Sequence, residues 1–216
     1  MELNKNKWKE FSTATVSDAL DRLGLKNQCL NLKPLKRGLQ ICGLAYTVLY
    51  EDQLDGTGTV GDYIEKIEME SVVVIDNSGR RDATVWGDIL TQYSLTKNLE
   101  GTVINGVCRD SSSSLKLGYP IFSLGTYMRT GKARVRFKSE NIPLHINGVS
   151  INPGDMIFGD DDGIVVIPKA SFSQVYKVAL DIKNAESNIM DAIKRGITLQ
   201  DARTEFKYHS LQSKQE

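Results

Sequence analysis

Two polar pairs near the middle of the chain have the residue types to bind and activate an acidic substrate. Gly87-Asp88 stands at the predicted start of a helix, and Arg109-Asp110 follows a predicted strand. A helix N-terminus offers unpaired N–H groups and the positive end of a dipole, so it favours an anion. An arginine can hold a carboxylate through two parallel hydrogen bonds, and an aspartate beside it can bind a hard cation. A carboxylate clamp next to a metal ion is what chemistry on a 2-oxo acid requires.

A helix and the strand that follows it must position these two pairs. The helix is predicted from apolar residues at helical spacing, namely Trp86, Ile89, Leu90 and Tyr93. A buried strand is predicted over residues 102–105, and Gly106 breaks it. Both pairs also fit a plain structural interpretation, because an aspartate in a first helical turn is ordinary capping chemistry and an exposed Arg-Asp pair is usually solvated. The residues alone therefore leave the site as a hypothesis.

The composition indicates a single domain without a nucleic-acid or membrane partner. The chain has 216 residues, and its 27 Lys and Arg balance its 27 Asp and Glu, so the net charge is zero. The longest aliphatic runs, residues 72–75 and 164–167, are too short to span a bilayer. Residues 1–11 lack the apolar segment of a signal peptide, and three unpatterned cysteines favour a reduced, cytoplasmic protein. We expect one domain over residues 1–206 and a polar tail over residues 207–216.

The remaining patterns predict a mixed α/β chain. Helices are predicted over residues 13–24, with Thr13 or Thr15 as the cap, and along an amphipathic segment from Phe172 to Ile193. Strands are predicted over residues 38–50, 72–76, 119–124 and 132–138, and hairpins around Asn147-Gly148 and residues 156–167. Residues 77–82 are predicted to be a polar loop, whose Arg80 and Arg81 could meet a distal carboxylate of the substrate.

A glycine motif offers a competing, nucleotide-binding interpretation. Residues 56–61 match G-x-G-x-x-G, and Asp76 ends a later strand at the spacing of a dinucleotide fold. Residues 51–55, however, separate the preceding strand from the first glycine, whereas that fingerprint needs a tight turn at the strand end. The following helix is also short for a crossover, so a surface loop is the better prediction.

The order and spacing of several motifs resemble the class II pyruvate aldolase family, also called RraA-like. The shared segments are Gly87-Asp88 with Arg109-Asp110, TATVSDALDRLG at 13–24, VVVID at 72–76, LGYPIFSLG at 117–125, INGVSINPGD at 146–155 and FGDDDGIVVIP at 158–168. The family contains 4-hydroxy-4-methyl-2-oxoglutarate / 4-carboxy-4-hydroxy-2-oxoadipate aldolases and regulators of ribonuclease activity. The resemblance covers roughly residues 10 to 200.

The resemblance implies a fold, an assembly and a set of site residues. The fold would be a mixed α/β, swivelling β/β/α sandwich assembled as a homotrimer or homohexamer. Arg109 and the backbone N–H groups around Asp88, Ile89 and Leu90 would bind a 2-oxo acid, and Gly87 would be a further substrate-binding residue. Asp110 would hold Mg²⁺ or Mn²⁺. Asp88 and Glu186 would act with Arg109 in catalysis, and Glu186 would reach into a neighbouring subunit's site.

The implied function is metal-dependent retro-aldol cleavage of a 4-hydroxy-2-oxo acid, or decarboxylation of oxaloacetate, with release of pyruvate. One departure from the family stands at Ser113, where the family often has an acidic residue, and it bears on the fit to tricarboxylic substrates. A non-catalytic regulator that binds a ribonuclease is the alternative. A methyltransferase acting on demethylmenaquinone is a third interpretation, for which no convincing cofactor-binding segment is visible.

Overall fold

The computed structural model describes residues 5–53 and 60–208, which form six α-helices and eleven strands. The helices are α1 Lys5–Trp8, α2 Thr13–Arg22, α3 Asp88–Thr96, α4 Ser111–Lys116, α5 Phe172–Lys194 and α6 Leu199–Glu205. The strands are β1 Gln28–Cys29, β2 Lys33–Pro34, β3 Ile41–Asp52, β4 Ser71–Thr84, β5 Gly101–Val107, β6 Ile121–Ser123, β7 Val135–Glu140, β8 Leu144–Ile146, β9 Val149–Ile151, β10 Met156–Asp160 and β11 Gly163–Ile167. Short 3₁₀ helices span Asp62–Lys66 and Lys169–Ser171.

A nine-stranded mixed sheet organises the fold. Its order is β1-β11-β10-β3-β4-β5-β6-β2, with β7 paired to β3 beside that path. The central strands β3, β4, β5 and β6 pair in parallel, and the remaining neighbours pair antiparallel. Because adjacent strands run the same way, the carboxyl ends of β4 and β5 meet at one edge, which is where such sheets bind ligands.

Alternate residues of the central strands enter two different cores. Val72 and Val74 of β4 pack with the β8-β9 hairpin, whereas Val73 and Ile75 pack with Trp86 and the residues around α3. Helices α2 and α5 cover β10 and β11 through a third cluster that includes Ala19 and Ile182. The sheet therefore lies between a hairpin layer and a helical layer, and the predicted mixed α/β, β/β/α architecture is confirmed.

The predicted polar loop over residues 77–82 is wrong, because β4 continues through it. After Asp76 pairs with Asn105, the register shifts twice, and pairing with β5 resumes at Arg80 and Thr84. The buried Asn77 amide donates to the Ala83 carbonyl at 3.1 Å, which stabilises this irregular part of the strand. The polar side chains of residues 77–82 predicted a loop, but the backbone of this segment still pairs with β5 as a strand.

Three other local predictions have mixed outcomes. The Asn-Gly turn is confirmed, since Asn147 and Gly148 have φ of 51° and 85°. Ser12 caps α2 by accepting from the Thr15 N–H, so the predicted threonine caps are wrong. The strand predicted over residues 132–138 begins only at Val135.

Residues 56–59 of the glycine motif and the predicted tail from residue 209 onward lie outside the described residues. The last described residue, Tyr208, packs with Ile189, Ala202 and Phe206 in a small cluster between α5 and α6. No helix in the described ranges is long and apolar enough to cross a membrane.

Candidate active site

A cleft of about 520 Å³ lies where the chain leaves the carboxyl ends of β4 and β5. Beyond β4 the chain turns into α3, and beyond β5 it passes through Arg109 into α4. The structure brings all five predicted substrate-binding residues to this cleft, namely Gly87, Asp88, Ile89, Leu90 and Arg109. The volume is that of a small-molecule site rather than a protein groove.

The Arg109 side chain has two donors available in the cleft. Its Nε lies 3.2 Å from Asp110 Oδ2, and the two side chains are 40% and 36% exposed. Its terminal Nη atoms have no hydrogen-bond or ion-pair partner among the described residues. Backbone pairing fixes the base of the side chain, because the Arg109 N–H donates to the Trp86 carbonyl at 2.9 Å. The guanidinium therefore presents a two-donor fork that suits a carboxylate.

Gly87 allows the two halves of the site to approach closely. A Cβ added at Gly87 would lie 2.7 Å from Asp110 Oδ2 and 3.5 Å from Arg109 Nε. Its backbone is extended, with φ of −152°, so space rather than backbone strain requires glycine here. Absence of a side chain lets Asp110 and Arg109 pack directly against the N-terminus of α3.

Asp110 is held in an unusual backbone conformation at the start of α4. Its φ and ψ are 54° and 33°, in the left-handed region that costs energy for a non-glycine residue. It occupies the N-cap position, but its side chain makes no capping hydrogen bond; its carbonyl instead accepts from Ser113 and Ser114. The carboxylate is directed to Arg109 and Gly87 instead of to the helix.

The first turn of α3 supplies further donors. The N-cap, Gly87, has no side chain to accept from the helix, and the N–H groups of Asp88 and Leu90 have no partner among the described residues. The Ile89 N–H is taken by the Asp88 carboxylate at 2.8 Å. Two of the predicted backbone donors are thus available to an anion, while the third is shared with Asp88.

A buried hydroxyl network fixes α3 relative to α4. Thr91 Oγ donates to the Gly87 carbonyl at 2.9 Å, accepts from the Trp86 indole at 3.0 Å and lies 2.9 Å from Ser114 Oγ. Thr91 and Ser114 are fully buried. The predicted apolar face of α3 is buried only in part. Trp86 and Leu90 pack in the core, whereas Ile89 is 79% exposed. Thr91 and Ser94 are the buried residues within the helix.

Glu186 lies apart from Arg109 within one copy of the chain. It is on α5, which packs against α2, and it is not among the residues that line the cleft. Burial, and then the nearby Asp18 carboxylate, raises the pKa of Glu186. The carboxyl is half-buried against another acidic side chain, so it is not an ordinary solvated helix residue.

The cleft contains residues that the sequence did not indicate, and it does not contain Arg80 and Arg81, which the sequence suggested. Asp62, Thr130 and Lys132 line the cleft. Arg80 instead pairs with Asp52 and Asp82, and Arg81 donates to the Leu124 carbonyl at 2.9 Å. Neither arginine lines the cleft, so their suggested contact with a distal carboxylate is not supported. No local sequence signal marks Lys132, since only tertiary pairing brings it to the site.

Ser113 lies at a second groove, of about 630 Å³, between α3 and α4. Asp88 and Ile89 line both this groove and the cleft, so the two are continuous around the N-terminus of α3. The family's acidic residue at the position of Ser113 would therefore add charge beside Asp88.

The donor set around Asp110 fits a hard divalent cation held largely by water. Across residues 5–53 and 60–208, no three His, Cys, Asp or Glu side chains form a group that could hold a metal ion. Mg²⁺ does not need such a group, since it commonly keeps several waters and binds one or two carboxylates. Asp110, free of any capping bond, and Asp88 meet that requirement. Burial raises the pKa of the preceding Cys108 thiol to about 11, which argues against a thiolate there.

The fold and the cleft define an α/β protein with an arginine and a helix N-terminus arranged for a small carboxylate. Comparison with known proteins identifies the family within this class. A family model described as RraA-like, Aldolase/RraA, matches residues 13–166. The chain therefore belongs to the RraA-like family.

Three similar proteins illustrate the range of the family. The chain is 34% identical to a Halalkalibacterium halodurans protein named "Putative 4-hydroxy-4-methyl-2-oxoglutarate aldolase", over 80% of each chain. It is 44% identical to protein DlpA of Legionella pneumophila over 91% of its own length, but it spans only 32% of DlpA. Streptomyces coelicolor RraAS2, described as an unusual member of the RNase ES inhibitor RraA family, matches with 27% identity and a TM-score of 0.78, over 85% of this chain and 93% of that one.

Proposed function

We propose that the protein is a divalent-metal-dependent lyase that releases pyruvate from a 2-oxo acid. The reaction would be retro-aldol cleavage of a 4-hydroxy-2-oxo acid, decarboxylation of oxaloacetate, or both. The observation that carries the proposal is the pair of unpartnered Arg109 Nη donors in one cleft with the N-terminus of α3, beside the Asp110 carboxylate. The aldolase name of the Halalkalibacterium relative supports the same chemistry.

Two sets of residues act on the substrate: one binds its 2-oxo carboxylate, and the other handles the proton of its 4-hydroxyl group. The Nη donors of Arg109 bind the 2-oxo carboxylate, helped by the N–H groups of Asp88 and Leu90. Cleavage of the C3–C4 bond leaves its electron pair on the pyruvate fragment as an enolate, whose negative charge the Arg109 guanidinium stabilises. The Asp88 carboxylate orients the water that accepts the proton of the 4-hydroxyl group. That proton, or one from solvent, then returns to C3 to give pyruvate.

Asp110 would hold Mg²⁺ or Mn²⁺, with Asp88 and a partner copy's Glu186 positioning its waters. When bound, the ion acts as a Lewis acid that polarises the 2-oxo group. Arg109 Nε, 3.2 Å from Asp110 Oδ2, holds the Asp110 carboxylate beside the cleft, whose lining includes Arg109 but not Asp110.

Pyruvate release from oxaloacetate and a panel of 4-hydroxy-2-oxo acids tests the proposal. Activity should disappear with EDTA and return with Mg²⁺ or Mn²⁺. Arg109→Ala should lower kcat/KM by roughly 30-fold to several thousand-fold, because removing a charged partner costs on the order of 2–5 kcal/mol. Arg129→Ala, which removes an arginine paired with Asp82 outside the cleft, is the control. Turnover that survives thorough chelation, or an Arg109→Ala variant with native kinetics, would contradict the mechanism.

The second candidate is a regulator that acts by binding a ribonuclease. It is favoured by the similarity to RraAS2 and by Ser113 in place of an acidic residue. Failure of the purified protein on the whole substrate panel, together with a stable ribonuclease complex that persists in an Asp110→Ala variant, would favour the regulator over the lyase.

A further inference from the structure

Two cationic side chains line the candidate cleft, and only Arg109 has a partner. Lys132 lines the same cleft, yet its Nζ has no hydrogen-bond or ion-pair partner among the described residues. Asp62 also lines the cleft but does not form an ion pair with Lys132. An unpaired ammonium group beside a carboxylate-binding arginine is a natural second anchor for an anion.

The other cations of this region are already engaged. Arg129 pairs with Asp82 at 3.6 Å, and Lys138 pairs with Glu51 at 3.0 Å. Arg134 donates to the carbonyls of Thr130 and Lys132 at 3.2 and 3.3 Å. Lys132 therefore differs from its neighbours in having its charge available.

The backbone that carries Lys132 is fixed to the end of β4. Thr84 donates through its N–H and its hydroxyl to the Arg129 carbonyl, at 3.1 and 3.0 Å, and it forms a bridge with Thr130. A Cβ added at Gly131 would lie 2.3 Å from the Thr84 carbonyl oxygen, so the turn could not pack here with any larger residue. Thr84 directly precedes the segment that leads to Gly87, so the base of Lys132 and the N-terminus of α3 share one rigid support.

We infer that Lys132 forms a second anionic subsite of the cleft, which selects 2-oxo acids that carry a distal carboxylate. The inference rests on the proposed 2-oxo acid site, in which Arg109 and α3 bind the 2-oxo carboxylate. Val60 and Leu90, both partly exposed, give the cleft an apolar lining, which suits the methylene groups between two carboxylates. Lys132 replaces Arg80 and Arg81 as the residue that recognises the far end of a diacid.

Binding of two unreactive keto acids tests the subsite independently of turnover. 2-Oxoglutarate has a distal carboxylate, and 2-oxopentanoate is a neutral-tailed analogue. Neither has the 4-hydroxyl group needed for retro-aldol cleavage. Isothermal titration in the presence of Mg²⁺ should show that the native protein prefers 2-oxoglutarate by about 10-fold, the size of one charge-assisted hydrogen bond in a cleft that solvent reaches.

Substitutions of Lys132 should change this preference selectively. Lys132→Met should weaken 2-oxoglutarate binding by about 10-fold and leave 2-oxopentanoate binding within about twofold, whereas Lys132→Arg should retain most of the preference. Lys138→Met is the matched control, since Lys138 lies on β7 and pairs with Glu51 outside this cleft. Circular dichroism establishes that each variant is folded.

The outcomes separate the subsite from the proposed function. Equal binding of both acids to the native protein, or an equal loss of both in Lys132→Met, would overturn the subsite and leave the Arg109 site standing. A selective loss of 2-oxoglutarate binding in a protein that releases no pyruvate from any substrate would uphold the subsite and overturn the lyase. A native protein that binds neither acid would overturn both.

Discussion

At the scale of single residues, the site depends on the absence of a side chain at Gly87. The Asp110 carboxylate occupies the space that a Cβ at this position would enter. The left-handed backbone of Asp110 is tolerated because Arg109 and the first turn of α4 hold Asp110 on either side. An aspartate with a left-handed backbone, whose carboxylate makes no capping bond and contacts Arg109 instead, is typical of a functional residue rather than of a helix cap.

Gly87→Ala should therefore damage the site while leaving the core intact. The added methyl group would approach Asp110 Oδ2 to 2.7 Å, so the carboxylate must move away from Arg109. We expect Mn²⁺ affinity, followed by electron paramagnetic resonance, to fall by about 10-fold, because a metal ligand that loses its supporting contact binds the ion more weakly. Ser111→Ala, one residue beyond Asp110, is the control. Native Mn²⁺ affinity in Gly87→Ala would show that Asp110 is not a metal ligand.

Some site residues could be predicted from the sequence because their chemistry is local. The anion preference of a helix start at Gly87-Asp88 and the polar pair Arg109-Asp110 are visible as neighbours in the chain. Lys132 could not be predicted, because a bridge between Thr84 and Thr130 brings it to the cleft. The sequence likewise could not show that Arg80 and Arg81 are unavailable to a substrate, because tertiary contacts with Asp52 and with the Leu124 carbonyl engage them.

At the scale of secondary-structure elements, α3 departs from the usual apolar-inward pattern. Periodicity placed Ile89 and Tyr93 on one face with Trp86 and Leu90. Only Trp86 and Leu90 pack in the core, and Ile89 and Tyr93 are exposed along the groove beside α4. Thr91 and Ser94 are buried in their place. Apolar spacing identifies a helix but does not show which face is buried when hydroxyl groups connect two helices.

Thr91→Val should test whether this hydroxyl network positions α3. The isosteric change removes contacts to the Trp86 indole, the Gly87 carbonyl and Ser114. We expect urea denaturation to show a loss of about 1–3 kcal/mol in the free energy of unfolding, because the buried indole N–H loses its partner. Pyruvate release should also fall, since the N–H groups of the first turn shift relative to Arg109.

Two further variants separate a specific network from a general effect on the helix. Thr91→Ser keeps the hydroxyl and should restore most of the stability. Thr96→Val on the exposed side of α3 removes only a hydrogen bond from the Thr96 hydroxyl to the Gln92 carbonyl and should be close to neutral.

A double-mutant cycle tests the contact between the Thr91 and Ser114 hydroxyls. If Thr91→Ala and Ser114→Ala gave strictly additive losses of stability, direct coupling between the two hydroxyls would be refuted.

Element prediction succeeded where burial followed a simple period and failed where it did not. The long amphipathic helix was predicted to within a few residues, since its inward positions include Val175, Ala179 and Ile182. The second half of β4 was missed because bulges replace the alternating pattern with polar residues whose backbone still pairs with β5. Such irregular segments occur next to functional sites, where they redirect the chain.

At the scale of the whole molecule, Glu186 is the predicted site residue that a single copy leaves apart from the cleft, whereas Asp110, although it does not line the cleft, contacts Arg109 there. It lies on α5 beside α2, half-buried, with its pKa raised by burial and by Asp18. A cyclic homotrimer would place the Glu186 half of one copy against the Arg109 half of the next, through a heterologous contact that closes on itself. A shared active site is therefore our proposal for the assembled protein.

Mixed assemblies test this proposal. Arg109→Ala and Glu186→Ala proteins should each be nearly inactive. After co-refolding in equal amounts, about one site in four should combine two intact halves and restore roughly a quarter of native activity. A mixture of Arg109→Ala with Asp88→Ala is the control, since both defects lie in the same half and no intact site can form. Mixed trimers, verified by mass spectrometry, that stay inactive would remove Glu186 from the site.

The ends of the nine-stranded sheet determine how copies of this molecule can meet. The strands that close its main path, β1 and β2, have two residues each, and β2 contains Pro34, which has no N–H to donate. The side strand β7 carries Arg136 and Lys138, whose charges disfavour pairing with another strand. Within the described residues, the sheet thus offers little backbone on which a second sheet could extend. Extension of this sheet by a strand from a second copy, including the kind that leads to fibrils, is therefore disfavoured.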